Sequence, residues 1–377
     1  MTNYAYRASV LALFLALPLA ACGPGAGSSD PTAQGSSAPV SQPQLAPAAC
    51  QALSGLSSEQ GDLSQRLDKA VILSANTSQF REPSSSDLQA FQRAFGRLLG
   101  PVDPSAVADL EKLGFEVSRF REASSGASWL IVEEKAPRTG AGTFAINLSP
   151  ARDLWLETPH ADSDQGTLEQ GAKQVVALGA RALIITGVNR CASAAKTACD
   201  TGATAVCGGK LRTSDAAHFA DNYFTAAHKA LRAAYPSAVA VSLHGMETAG
   251  KEAAVVSDGT RTARPTSLSL RLRDSVNSYL KTTDGLAYSC NDVNDNGQFR
   301  PLCGSTNVQG RLDNGASDGC YTEGGAASDR FLHVEQGPIL RGGAKEDPVG
   351  EGLADTIPCT MPGAGAKCPA AATPACS

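Results

Sequence analysis

The spacing of apolar and polar positions changes character near residue 125. Between residues 50 and 120 the stretches "LSQRLDKAVIL", "SDLQAFQRAFGRLL" and "VDPSAVADLEKLG" repeat apolar side chains every three or four positions. That spacing predicts amphipathic helices, with Ser86 or Asp87, and Asp103, as caps. From residue 128 the pattern becomes strand-like. "SWLIVEEK" (128–135) and "TFAINLSP" (143–150) predict a hairpin across "APRTGAG", and "DLWLETPH" predicts a third strand. Strands and helices then alternate: a helix over 167–178, a strand over 181–188, a helix over 221–235, strands over 238–245 and 252–258, a helix over 266–281 and a strand over 330–337.

Runs such as "ALIITGV" and "AVAVSL" are apolar without alternation, as expected of strands covered on both faces. With amphipathic helices between them, they predict an α/β fold: a three-layer sandwich with a mainly parallel mixed sheet, preceded by a helical N-terminal extension.

The N-terminus is of another kind. Arg7, the apolar run "VLALFLALPLA" and "LAAC" ending at Cys22 resemble a bacterial lipoprotein signal. The resemblance implies cleavage before Cys22, lipid attachment to its sulfur and a protein exported and tethered to a membrane. Gly23 after the cysteine favours the outer membrane, where the cell has one, facing periplasm or cell surface. Residues 23–48 hold Gly, Pro, Ser, Ala and Gln with almost no large apolar side chain, so they bury too little to offset ordering entropy. The expected division is a signal over 1–21, a lipid-anchored linker over 22–48, a helical region over 49–127, an α/β domain over 128–358 and a Cys/Pro/Ala-rich tail over 359–377.

A net charge of -5 with no basic block argues against nucleic acid as a partner. Of the 11 cysteines, those beyond Cys22 are even in number and concentrate in Gly/Asn/Thr-rich segments. In an exported chain this predicts disulfides that staple long surface loops. The absence of any C-x2-C pair argues against a structural zinc site.

Five histidines carry the candidate chemistry. His160 and His244 fall at the C-terminal ends of predicted strands, where open α/β sheets gather their ligand sites. His333 and Glu335 share one face of a predicted strand, while Leu332 and Val334 share the other. A buried titratable pair is costly unless partnered, and this favours a site. His218, in "SDAAHFAD", can lie over that site, whereas His228 reads as a packed helix residue.

The order strand–His160, nearby carboxylate, strand–His244 and a late strand with Glu335 resembles the zinc carboxypeptidase superfamily. It is nearest the N-formylglutamate amidohydrolase and poly-γ-glutamate hydrolase type. The resemblance rests on "TPHADSDQGT", "GVNR", "AAHKALRAAYP", "VSLHGM", "VVSDGT" and "HVEQGPILR", and covers roughly residues 128–345. It implies Zn2+ held by His160, His244 and Asp164, with Asp162 as the alternative carboxylate. Ser163 stands where a peptidase pattern has glutamate. It further implies Glu335 as catalytic base, Arg190 as a clamp for a substrate carboxylate, and Asn189 and His218 as assisting groups.

The function expected from this resemblance is hydrolysis of an amide next to a carboxylate in a small acidic amide or peptide. The alternatives are a carboxypeptidase acting on peptides and a non-catalytic surface-binding lipoprotein on the same fold. "VVSDGT" lacks the G-x-S-x-G elbow, which argues against a serine hydrolase. "DVNDNG" (292–297) imitates half of a calcium loop, but Cys303 stands at the twelfth position in place of glutamate.

Overall fold

A computed structural model describes residues 54–199, 205–247, 252–292, 301–325, 327–341, 347–360 and 368. The expected signal, Cys22 and the linker, together with Cys50, Cys376 and most of "DVNDNG", lie outside the described residues.

The strands are β1 (Ser58–Gly61), β2 (Phe115–Glu122), β3 (Ser128–Glu134), β4 (Thr143–Asn147), β5 (Leu154–Thr158), β6 (Ala182–Ile185), β7 (Val239–Gly245), β8 (Glu252–Ser257), β9 (Leu286–Ser289) and β10 (Phe331–Gln336). The helices are α1 (Leu63–Leu67), α2 (Ser85–Gly96), α3 (Pro104–Lys112), α4 (Thr167–Ala177), α5 (Tyr223–Ala234), α6 (Leu268–Tyr279), α7 (Val308–Asp313) and α8 (Pro348–Thr356). All ten strands join one mixed sheet in the order β1-β2-β3-β4-β6-β5-β7-β10-β8-β9. Its centre, β6-β5-β7-β10, is parallel, and β4 and β8 flank it antiparallel.

Alternation along these strands builds two cores. Leu154, Leu156, Val241, Leu243, Leu332 and Val334 face α1, α4, α6 and α8 through Leu63, Val175, Leu272 and Leu353. Trp155, Ala240, Phe331, Phe144 and Ile146 face α2, α3 and α5 through Phe91, Leu110 and Leu231. The result is the expected three-layer α/β sandwich. Arg152, buried within it, donates to Ile357 O at 3.0 Å and Leu178 O at 3.0 Å, satisfying carbonyls at the ends of α8 and α4.

The first 70 described residues hold the expected helices, with Ser84 rather than Ser86 or Asp87 capping α2 and Asp103 capping α3. They also hold β1 and β2, which the pattern did not mark. Charged Glu116, Arg119 and Arg121 interrupt the apolar rhythm of β2, yet the strand pairs along its length with β3. "LSQRLDKAVIL" is helical only to Leu67; Leu73 then bridges to Val188 beside β6. This region is packed onto the sheet: the Phe91 ring lies 4.9 Å from Phe115 and 5.2 Å from Phe144. Truncating such a buried ring costs about 3–5 kcal/mol, so the region belongs to the main core. Strand β9 and helices α7 and α8 also went unmarked, being short and set among turn residues.

Four disulfides lie among the described residues: Cys191–Cys207, Cys199–Cys320, Cys290–Cys303 and Cys359–Cys368. They staple loops, as expected. No helix among the described residues is long and apolar enough to cross a membrane.

Candidate metal centre

The four central strands run parallel, so their C-terminal ends open onto one edge of the sheet. His160 follows β5, Arg190 follows β6, His244 lies at the end of β7, and Glu335 lies at the end of β10. The β7–β10 register sets Glu335 beside His244 and His333 beside Ser242. Because successive side chains alternate, all four project to the face that also carries Ala240 and Phe331.

Pro159 ends β5, and the chain turns helically: Ser163 N and Asp164 N both donate to His160 O, at 3.0 and 2.8 Å. Positions four apart on such a turn share a side, which brings Asp164 against His160 and turns Asp162 away. Asp164 is 3% exposed, whereas Asp162 is exposed and accepts from Asn189 Nδ2 at 2.8 Å. Asn189 Oδ1 in turn accepts from Cys191 N, so this side chain orders its own loop and does not line the cleft.

Asp164 Oδ2 lies 3.3 Å from His160 Nδ1 and 3.5 Å from His244 Nδ1, and accepts from Gly245 N at 3.0 Å. Donor atoms of a tetrahedral ion bound at about 2.0–2.1 Å stand roughly 3.3–3.4 Å apart. The outer nitrogens are already engaged: His160 Nε2 with Asp215 Oδ1 at 2.9 Å, and His244 Nε2 with Ser242 Oγ at 3.0 Å. Both rings therefore present Nδ1 to the same carboxylate oxygen. These buried groups can hold a metal ion, and Asp215 and Ser242 stand where outer partners orient ligating imidazoles. A Cβ added at Gly245 would lie 2.0 Å from Arg341 Nη1 and 3.1 Å from Asp164 Cβ, so a side chain there would displace the Arg341 guanidinium.

The electrostatics fit a cation. Burial opposes charge on His160, but Asp215, helped by Asp164 and opposed by Arg190, lifts its pKa to about 9. Burial would raise Asp164, yet His160 and His244 hold it well below the usual carboxylate range. Asp215 is likewise lowered, with His218 and His160 overcoming its burial. Burial takes His244 down to about 4 despite Asp164, and takes His333 well below its ordinary value. Burial, reinforced by Asp164, raises Glu335 to about 8. A cation among His160, Asp164 and His244 supplies the positive charge that two buried carboxylates otherwise draw from a proton.

Around this centre lies a cleft of about 200 Å³ lined by Arg190, His218, Thr306, Asn307, His333 and Glu335, with Val206, Leu211 and Leu302 as apolar walls. Arg190 Nη1 lies 3.2 Å from His160 Nδ1, and Nη2 lies 3.4 Å from Asp164 Oδ1. His218 Nδ1 meets Asp215 Oδ1 at 3.0 Å. Arg341 donates to Gln165 O and Met246 O. His228 lies apart, buried between Glu157 (2.7 Å) and Asp313 (3.2 Å).

The structure thus brings together His160, Asp164, His244, Glu335, Arg190 and His218, and leaves Asn189 outside. Sequence reading missed Asp215, although an Asp three residues before His218 in a polar loop was a signal. It missed Ser242 as well, which strand alternation places on the face of His244. Compared with protein-family models, curated proteins and solved structures, the chain matches none.

Proposed function

We propose that the protein is an exported zinc amidohydrolase that cleaves an amide adjacent to a carboxylate, of the N-formylglutamate or γ-glutamyl hydrolase type. The observation that carries this reading is the meeting of two imidazole Nδ1 atoms on one oxygen of Asp164, with Glu335 as the cross-strand neighbour of His244. Zinc bound by His160, Asp164 and His244 supplies Lewis-acid polarisation of the scissile carbonyl and a more acidic water.

The chain supplies the rest. Glu335 would accept the water proton and return it to the leaving amine; a bound cation, with Arg190 nearby, would lower its raised pKa and keep it ionised as a base. Arg190 lies against His160 and Asp164 at the cleft wall, where its guanidinium could take a substrate carboxylate bidentately. A cavity smaller than the roughly 300–1,000 Å³ of ordinary ligand pockets suits a small acidic amide better than a long peptide. Lipidation at Cys22 would hold this activity at a membrane surface.

One observation favours a second reading, a metal-free binding lipoprotein: the Arg190 guanidinium can itself serve as the cation of the triad. Elemental analysis of the chain from residue 49 onward separates the two. About one zinc in the wild type, lost in His160→Ala and His244→Ala, together with turnover of a panel of N-formyl, γ-glutamyl and C-terminal peptide amides, supports the hydrolase. A wild type that neither carries zinc nor takes it up leaves the binding reading.

A further inference from the structure

We propose that Asn307 is a substrate-positioning residue whose side-chain Nδ2 donates to a second acceptor oxygen on the substrate, across the scissile amide from the carboxylate held by Arg190. This deepens the hydrolase reading and rests on it. Asn307 lines the cleft, is 1% exposed, and its Nδ2 has no partner among the described residues. Which end of the amide carries the nitrogen is fixed, because Oδ1 accepts from Gly310 N at 2.9 Å as the cap of α7. A buried amide donor left unpaired is rare, and at the wall of a cleft it calls for a ligand acceptor.

The side chain is also held in place. Asn307 N donates to Gly304 O, Val308 N to Ala217 O, and Gln309 Nε2 to Ala216 O, which docks the segment against the loop of His218. Gly304 backs onto the His333 ring on β10. Arg190 arrives from the end of β6 and the Asn307 wall from the β10 side, so in the order β6-β5-β7-β10 the triad lies between them. A molecule held by both donors spans the triad. The substrate class is therefore a short N-acyl amino acid whose acyl group carries a carboxylate or carbonyl oxygen of its own.

N-succinylglycine and N-butyrylglycine share the amide and the amino-acid carboxylate and differ only at the far end of the acyl chain. Both are titrated calorimetrically into the Glu335→Gln protein, where turnover cannot interfere, and again with Asn307→Asp or Asn307→Ser added. Both second substitutions keep a capping acceptor for α7 and remove the amide donor. The expected result is N-succinylglycine bound on the order of tenfold more tightly than N-butyrylglycine. That preference disappears in both Asn307 variants while N-butyrylglycine binding stays put. Equal affinity for the two probes, no binding of either, or a preference that survives in both variants overturns the inference. Zinc content reports separately on the hydrolase reading, since the titration needs no turnover.

Discussion

Asp215→Asn is the perturbation that tests the centre most directly, because Asp215 lies outside the triad of His160, Asp164 and His244 and backs the His160 ring. Its Oδ1 meets His160 Nε2 at 2.9 Å and His218 Nδ1 at 3.0 Å, and accepts from Ala217 N at 3.1 Å, all within a fully buried environment. Asparagine keeps one acceptor oxygen and deletes the charge. A carboxylate lying behind an imidazole is about 6–7 Å from a dication on its far nitrogen, which at an effective dielectric near 20 is on the order of 5 kcal/mol of attraction. Loss of outer partners to ligating histidines costs 10–100-fold in metal affinity, or about 1.4–2.7 kcal/mol, so the Coulomb figure is a ceiling and the lower range is the expectation. The assay is competition for zinc against a chromophoric chelator. It is run at pH 9, because Asp215 also favours a proton on His160 that competes with the metal below that pH. Zinc affinity within threefold of wild type, in a variant that melts normally, would refute the reasoning that Asp215 orients a ligand.

Three further outcomes are expected. Arg190→Met should raise zinc affinity several-fold, by removing a positive charge that leans on His160 and Asp164, while raising KM for a carboxylate-bearing substrate; unchanged zinc affinity in chelator competition would show that the contact carries no weight. Burial disfavours charge on His228, but Asp313 and Glu157 raise its pKa to about 9, above its unfolded value near 6.5, so its contribution to stability is full below about pH 6.5 and is lost as pH rises through 9. Denaturant titrations should show that decline, on the order of a few kcal/mol, in the wild type and not in His228→Gln; parallel curves would count against it. Gly304→Ala places a Cβ 2.5 Å from the His333 ring at a φ of +62°, and should lower stability by about 1–3 kcal/mol and impair ligand binding; a neutral effect in thermal melts would mean that this wall yields.

Much of this molecule was legible from pattern alone, and the exceptions have physical causes. The strands that form the centre of the sheet are buried on both faces and stand out as apolar runs, and the turn residues that end them mark where His160 and His244 emerge. β2 was hidden because its exposed positions carry charge, and α7 because a six-residue helix shows too little periodicity. Choosing between Asp162 and Asp164 depended on the phase of a turn after Pro159, which spacing does not encode. Asp215 reaches His160, and Asn307 the cleft wall, through loops whose course is set by contacts distant in sequence.

The disulfides bear on the cleft walls. Cys191–Cys207 closes the loop that follows Arg190 and carries Val206, and Cys290–Cys303 anchors the segment that runs on to Thr306 and Asn307. The triad itself sits on strand ends and a turn that need no crosslink. The ligand set thus owes nothing to oxidation, whereas two walls of the cleft are tied by it. Reduction should therefore loosen the cleft walls before it touches the ligand set.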